Sequence, residues 1–332
     1  MNKWWRKGLA ALSALVVLML PVGCAEEKGP DTVTVCEVTH SIFYAPQYVA
    51  IAKGFFAEEN IQVELTNGQG ADAVMAAVLS GNIDVGFAGP EAAIYVYNEG
   101  KEDYAQVFAQ ITRRDGSFLI GRQPDDAFTW DKVRGKVVLP GRKGGVPYMT
   151  LEHVLRQNGI DPATDTVLDN SVQFSMMTAA FTGGTGDYVT AFEPTASMLQ
   201  QEGKGYIVAS VGEASGDIPY TAYFAKKSFI QENSDLVQRF TNAVYKGQQW
   251  VATHSDQEVA QAVAEQFPDT SLDLLTKSVA SYRAIDAWNT DPYMTEESFQ
   301  RLQTVMTEAG ELEKTADFDK VVNNTFAQKA KG

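Results

Sequence analysis

The sequence predicts an α/β protein of two lobes followed by a helical tail. Three observations carry that expectation. Strand-like and helix-like runs alternate from Asp31 to about Gly121, the alternation restarts after a connection at Pro124–Trp130, and from Ser228 onward the chain reads as helix. Alternation at roughly 10–15-residue spacing is the pattern of β-α-β units, in which a helix crosses over a sheet between parallel strands.

In the first unit, Val33–Val38 reads as a strand and Pro46–Phe56 as a helix ending near Gly54. Ile61–Leu65 alternates with period two, as a half-buried strand does. Ala71–Leu79 is an amphipathic helix, Ile83–Ala88 a buried strand, Glu91–Tyr97 a helix and Ala105–Ile111 a fourth strand. Cys36 falls in the first strand and reads as a buried core thiol. The second unit repeats the order through Lys136–Leu139, Pro147–Arg156, Gln173–Phe181, Asp187–Ala191, Thr195–Gln201 and Tyr206–Ala209. The tail reads as helices over Asp235–Thr253, Asp256–Gln266, Ser271–Ile285, Glu296–Ala309 and Thr315–Gln328, several with Ser, Thr or Asp at the N-cap position and Gly310 as a C-terminal stop. Ser117–Gly121 and Thr221–Ala225 bracket the second unit and read as the two crossings between lobes. The lobes are therefore expected over 31–121 with 225–332, and over 122–224.

The two units echo each other. AAVLSGNIDVGFAGPEAA at Ala76–Ala93 aligns with AAFTGGTGDYVTAFEPTAS at Ala179–Ser197 under one constant offset, which pairs Gly81 with Gly184 and Asp84 with Asp187. At the strand-to-helix handover, Pro90-Glu91 is answered by Glu193-Pro194 in swapped order.

The N-terminus is a targeting segment. Lys3, Arg6 and Lys7 precede an apolar run from Leu9 to Leu20 that is short of the about 20 residues a membrane span needs. Gly23 directly before Cys24 is similar to a bacterial lipoprotein signal. It places residues 1–23 in the signal peptide, a lipid on Cys24 and a tether over 24–30. The mature protein is then expected outside the cytoplasm, held to the bacterial cell membrane by its lipid alone. With Cys24 lipidated only Cys36 remains, so no internal disulfide can form. The formal net charge of −15 becomes more negative once three basic residues leave with the leader, which argues against nucleic acid as a partner.

In open α/β sheets ligands sit beyond the carboxyl ends of strands, at helix N-termini. The handovers are therefore the candidate site. Thr39, His40, Ser41, Phe43 and Tyr44 follow the first strand. Gly89, Pro90 and Glu91 follow the third, where glycine permits close approach, proline suits the first helical turn and glutamate supplies an acceptor. Gly144, Gly145, Val146 and Tyr148 form a glycine-rich turn into a helix, Phe192, Glu193 and Thr195 the matching turn of the second unit, and Tyr220 and Tyr223 sit at the return crossing. The competing reading of Glu91 is a residue complementing its helix dipole for about 0.3–1 kcal/mol.

Other chemistry has less support. Gly68-Gln69-Gly70-Ala71-Asp72-Ala73 matches a dinucleotide fingerprint, but an exported lipoprotein meets little nicotinamide cofactor. There is no G-x-S-x-G elbow and no H-E-x-x-H motif. The three histidines, His40, His153 and His254, lack partners at ligand spacing. No metal and no cofactor are expected.

Tyr44–Leu65 (YAPQYVAIAKGFFAEENIQVEL), Asn67–Ala92 (NGQGADAVMAAVLSGNIDVGFAGPEA) and Phe192–Ser197 (FEPTAS) resemble the solute-binding proteins of ABC importers, in the branch that takes up sulfonates, nitrate-like anions and thiamine pyrimidine precursors. The likeness spans essentially the whole mature chain. It implies a two-lobed type II periplasmic-binding-protein fold, each lobe a mixed sheet flanked by helices, that closes on a small molecule as a monomer and delivers it to the permease transmembrane subunits. The resemblance would line the cleft with Thr39–Tyr44, Ala88–Glu91, Gly144–Tyr148 and Phe192–Thr195. The branch also contains a pyrimidine-synthesising enzyme, but that enzyme carries a cysteine-rich motif this chain lacks, so a binder rather than an enzyme is expected. Glu91 and Glu193 together with Phe43, Tyr44, Tyr148, Phe192 and Tyr223 suggest a flat ligand bearing N–H groups, such as a thiamine-type pyrimidine. An alkanesulfonate or related anion is the alternative, with backbone donors at Gly144-Gly145.

Overall fold

The structure, a computed structural model, describes residues 29–332. The signal peptide and the lipidation site at Cys24 lie outside the described residues.

The first lobe opens with β1 (Asp31–Glu37), α1 (Ala45–Ala52), α2 (Phe55–Glu58), β2 (Ile61–Asn67), α3 (Ala71–Ser80), β3 (Val85–Ala88), α4 (Glu91–Asn98) and β4 (Ala105–Thr112). The second holds β5 (Ser117–Gly121), β6 (Val137–Leu139), α5 (Val146–Gln157), β7 (Val167–Leu168), α6 (Met177–Thr182), β8 (Tyr188–Phe192), α7 (Thr195–Gln201), β9 (Tyr206–Ser210) and α8 (Val211–Ser215). The chain returns through β10 (Thr221–Lys226) to α9 (Lys227–Glu232), α10 (Ser234–Thr253), α11 (Asp256–Val263), α12 (Leu272–Ala284), α13 (Glu296–Glu308), α14 (Phe318–Val321) and α15 (Thr325–Lys331).

Each lobe is built on a five-stranded mixed sheet. The orders are β2-β1-β3-β10-β4 and β7-β6-β8-β5-β9. In both, the first three strands run parallel and the fourth is antiparallel to its neighbours. That fourth strand is the one that has just crossed from the other lobe.

This moves the lobe boundaries from where the sequence put them. β5 pairs with β8 in the second sheet, Ser117 opposite Phe192, and β10 pairs with β3 in the first, Ala222 opposite Ala88. The division expected after Gly121 and before Ala225 is thus displaced by one strand on each side. The crossings are the short stretches 113–116 and 216–220, each ahead of its strand. A strand read from hydrophobicity alone does not reveal which sheet accepts its hydrogen bonds.

The echo between the units has a structural cause. The Asp84 carboxylate, just before β3, accepts the N–H of Thr34 in β1 at 2.9 Å. The Asp187 carboxylate, just before β8, accepts the N–H of Val137 in β6 at 2.9 Å. Gly81 and Gly184 ahead of them have φ of +78° and +105°, which glycine adopts without a Cβ penalty. The same local solution ties the corresponding parallel strands together in both lobes.

In the tail, Ser255 and Glu258 form a reciprocal capping box at α11, Ser271 caps α12, Thr295 caps α13, and Gly310 follows α13 with φ +73°. The expected long helix from Pro46 to Phe56 breaks into α1 and α2 at Gly54, whose φ is +75°. The expected helix 315–328 is two short helices, because Val322 leaves helical geometry to bridge Val107 in β4. The two-residue strand β7 and the helix α8 carry too few residues to show a period.

Candidate functional site

A cavity of about 480 Å³ lies between the lobes. The first lobe contributes Val38, Thr39 and Tyr44 after β1, Gly68–Ala73 after β2, and Gly89 and Glu91 after β3. The second contributes Arg142, Gly145, Val146 and Pro147 after β6, Asn170–Ser175 after β7, and Phe192 at the end of β8. Tyr220 from the return crossing and Thr221 at the start of β10 complete the wall. Parallel strands of both sheets thus point their carboxyl ends at one space, the usual ligand position in open α/β sheets.

Glu91 is the most unusual group in the wall. It is 1% exposed, and its Oε1 accepts the N–H of Val146 in the opposite lobe at 3.4 Å. Val146 is the first residue of α5, where backbone donors have no partner within the helix. The carboxylate therefore occupies the positive N-terminal end of α5 in trans. Its Oε2 has no hydrogen-bond partner among the described residues. Burial raises its pKa to about 7, against the opposing influence of the Glu91, Val146 and Ala92 N–H groups and the Arg142 charge. Gly89 leaves room for it in this position, since a Cβ there would stand 1.9 Å from Glu91 Oε2 and the carboxylate would have to shift.

The aromatic wall is layered. Tyr44, Phe192 and Tyr220 line the cavity, joined by Phe174 from the segment after β7. Phe43 lies behind them, fully buried, with its ring 5.8 Å from Phe192, 5.7 Å from Tyr220 and 4.9 Å from Tyr282. Its backbone carbonyl accepts the Trp288 indole N–H at 2.8 Å, which fixes this turn to the tail.

Several residues expected in the cleft do other work. The Glu193 carboxylate turns back onto α7, accepting the Ser197 N–H at 2.9 Å and hydroxyl at 2.7 Å. Its N–H donates to the Tyr282 hydroxyl at 2.8 Å, and its carbonyl accepts from the Ser41 hydroxyl of the first lobe at 2.6 Å. Glu193 and Ser41 are thus a seal between the lobes, and Thr195 is simply the first residue of α7. His40 sits outside the cavity, with Nδ1 2.7 Å from Glu37 and Nε2 2.8 Å from the Gln266 carbonyl. The Glu37 contact, more than any other influence, raises its pKa. Tyr223 is core, stacked on Phe87 at 4.2 Å and donating to Gln47. Pro90 caps α4, Tyr148 is buried outside the cavity lining, and the Gly144 carbonyl accepts from Tyr95 across the lobes at 2.9 Å.

Of the expected residues, Thr39, Tyr44, Gly89, Glu91, Gly145, Val146, Phe192 and Tyr220 meet in the cavity. The sequence reading did not place Val38, Gly68–Ala73, Arg142, Asn170–Ser175 or Thr221 there. The Gly68–Ala73 motif was visible but read against nucleotide chemistry. Gly68 instead permits close packing, since a Cβ there would lie 2.7 Å from Val74 and 3.1 Å from the buried Cys36 sulfur.

Comparison with known proteins places this geometry among relatives. The NMT1-like family matches residues 32–267. The Bacillus subtilis (strain 168) protein named "Putative binding protein YtlA" is 41% identical over 329 residues, covering 99% of this chain and 98% of that one. A Staphylococcus aureus structure described as the ligand binding component of an ABC-type import system, with zinc bound, superposes with TM-score 0.73 at 17% identity, covering 90% of this chain and 99% of that one. The alkanesulfonate-binding protein SsuA from Xanthomonas axonopodis pv. citri, bound to MOPS, superposes with TM-score 0.72 at 14% identity, covering 90% and 100%. The structural likenesses show the fold: two mixed sheets flanked by helices, in the manner of periplasmic binding proteins.

Proposed function

The chain belongs to the NMT1-like family, and on that premise we propose that it is the extracytoplasmic solute-binding component of an ABC importer, closing on a small heteroaromatic molecule with N–H donors and handing it to the permease. The import role is supported by the family, by the relative named as a binding protein and by the description of the Staphylococcus aureus structure. The lobes act as a clamp, hinged at 113–116 and 216–220. It works as a lipid-anchored monomer held through Cys24, and it binds without converting its ligand.

The ligand class rests on one observation, the buried Glu91 carboxylate with an unpartnered Oε2 beside an aromatic wall. A ligand N–H directed at that oxygen makes a charge-assisted bond of roughly 1.5–3 kcal/mol, and its ring packs against Tyr44, Phe192 or Tyr220. A thiamine-type pyrimidine has both features. The alternative, an alkanesulfonate as in the name of the Xanthomonas protein, meets a specific obstacle. The α5 N-terminus, where an anion would otherwise bind, already receives Glu91. Because the Glu193 carboxylate turns onto Ser197, Glu91 alone is left to meet the ligand donor.

Mass spectrometry of ligand released from purified protein, followed by calorimetry with that compound, tests the assignment. A released alkanesulfonate bound equally well by Glu91→Gln would overturn the ligand class, and steady conversion of the ligand to product would overturn the binding role. Cys24→Ser should free the protein from the membrane; retention there would overturn the anchor.

A further inference from the structure

We infer that the ligand is dipolar, a heteroaromatic molecule carrying an anionic group next to its N–H donor, with Glu91 taking the donor and Arg142 the anion. This rests on the reading of the cavity as a solute site and specifies what the site selects.

Two oppositely charged side chains, one from each lobe, meet the cavity and flank the same turn. Val146 donates its N–H to Glu91, while Gly145 Cα lies against the Arg142 guanidinium, so that a Cβ on Gly145 would be 3.8 Å from it. A ligand seated at Gly145-Val146 can reach both charges at once.

Arg142 is weakly engaged by the protein. Among the described residues its guanidinium makes a 3.4 Å bond to the Lys143 carbonyl and a 3.8 Å approach to Asp72 on the opposite rim. Arg122 in the same lobe gives the contrast. It donates to the carbonyls of Phe181, Thr185 and Gly186 at 2.6–3.1 Å and stacks on Phe181. Arginine offers five donors in a planar fork suited to carboxylate or phosphate, and at Arg142 that fork stands largely open at the cavity. Asp72 and Arg142 are 68% and 45% exposed, so their long ion pair holds little, and a ligand anion with better geometry displaces Asp72.

The two charges also filter ligands. A simple anion drawn to Arg142 is set against Glu91, and a simple cation drawn to Glu91 is set against Arg142. Only a molecule that presents a donor to Glu91 and an anion to Arg142 in the matching order is favoured at both ends, and closure lowers the local dielectric and sharpens the preference.

The test uses calorimetry at pH 8, where Glu91 is mostly ionised, on the full-length protein. The probes are 4-amino-2-methylpyrimidines bearing either hydroxymethyl or carboxylate at C5, with an alkanesulfonate as control. Wild type should bind the carboxylate at least tenfold more tightly than the hydroxymethyl compound. Arg142→Gln should abolish that preference, weakening the carboxylate compound at least tenfold more than the hydroxymethyl compound, and Arg142→Lys should restore part of it. Equal binding of the two pyrimidines by wild type, or a parallel loss of both in Arg142→Gln, overturns the dipolar inference and leaves the heteroaromatic reading standing. If neither pyrimidine binds and an alkanesulfonate binds equally to wild type and Glu91→Gln, the underlying reading falls too.

Discussion

Glu91 and Val146 join the two lobes directly, the carboxylate of one accepting the backbone N–H of the other at 3.4 Å across the cavity. The bond forms only when the lobes meet. It uses one carboxylate oxygen, and the second is buried without a hydrogen-bond partner among the described residues. One side chain thus ties the N-terminal end of α4 to that of α5 in the opposite lobe.

Glu91→Gln should separate this tie from ligand binding. Glutamine keeps an oxygen for Val146 but replaces the charged acceptor, so ligand affinity should fall by about 1.5–3 kcal/mol, roughly 10- to 150-fold. The apo protein should melt at the same temperature or higher at pH 8, because a buried ionised carboxylate has been removed. Calorimetry and thermal melts check both; a large drop in apo stability with unchanged affinity would mark Glu91 as a structural group.

Stability and binding should depend on pH in opposite senses. Burial raises Glu91 and Asp115 to about 7 from ordinary values of 4.5 and 3.8. Both are protonated in the fold at pH values where the unfolded chain has already ionised. Their contribution to stability is therefore complete below about pH 4 and lost as pH rises through about 7. Asp115 lies in the 113–116 crossing, fully buried, with Oδ1 accepting the Ser117 N–H at 2.6 Å and Oδ2 unpartnered among the described residues. The apo melting temperature should fall as pH rises from about 4 to about 7 and level off above that, and Asp115→Asn should flatten that fall. Binding of a ligand that donates to Glu91 should instead weaken by up to tenfold per pH unit below 7. Melts and titrations across this range give the two slopes.

The framework of this site was legible in the sequence and its division of labour was not. The repeated Gly81/Asp84 and Gly184/Asp187 pattern revealed two like halves because the same carboxylate-to-strand bond recurs in both. Glu91 was visible from its position after a buried strand. Glu193 occupies the matching handover and carries the same side chain, yet it turns onto α7, because Ser197 one helical turn ahead offers it two donors. Composition at a handover says which groups are available and does not set their rotamers. Asn170–Ser175 escaped notice because the strand before it, β7, is two residues long.

Gly89→Ala should act on the site through sterics alone. Its Cβ would fall 1.9 Å from Glu91 Oε2, and the flexible carboxylate end must move while the backbone can stay. Ligand affinity should drop at least tenfold with melting temperature changed by only a few degrees. Gly145→Val should also impair binding, since Gly145 lines the cavity and its Cβ would lie 3.1 Å from the Arg142 carbonyl. Unchanged affinity in both variants would place the ligand away from this turn.

Glu193→Ala provides the opposite signature to Glu91→Gln. The Glu193 carboxylate is buried but satisfied, holding the Ser197 N–H and hydroxyl at the start of α7. Removing it strands a helix-terminal donor, at a cost comparable to losing an N-cap, about 0.5–2 kcal/mol. Its backbone contacts to Ser41 and Tyr282 do not involve the side chain and persist in the variant. The lobes should therefore still meet, and ligand affinity should stay within about twofold while the melting temperature falls by several degrees. Thermal melts and calorimetry on the two glutamate variants, run side by side, decide the matter. A Glu193→Ala protein that melts like wild type but no longer binds would return this carboxylate to the ligand and restore the symmetric site that the sequence suggested.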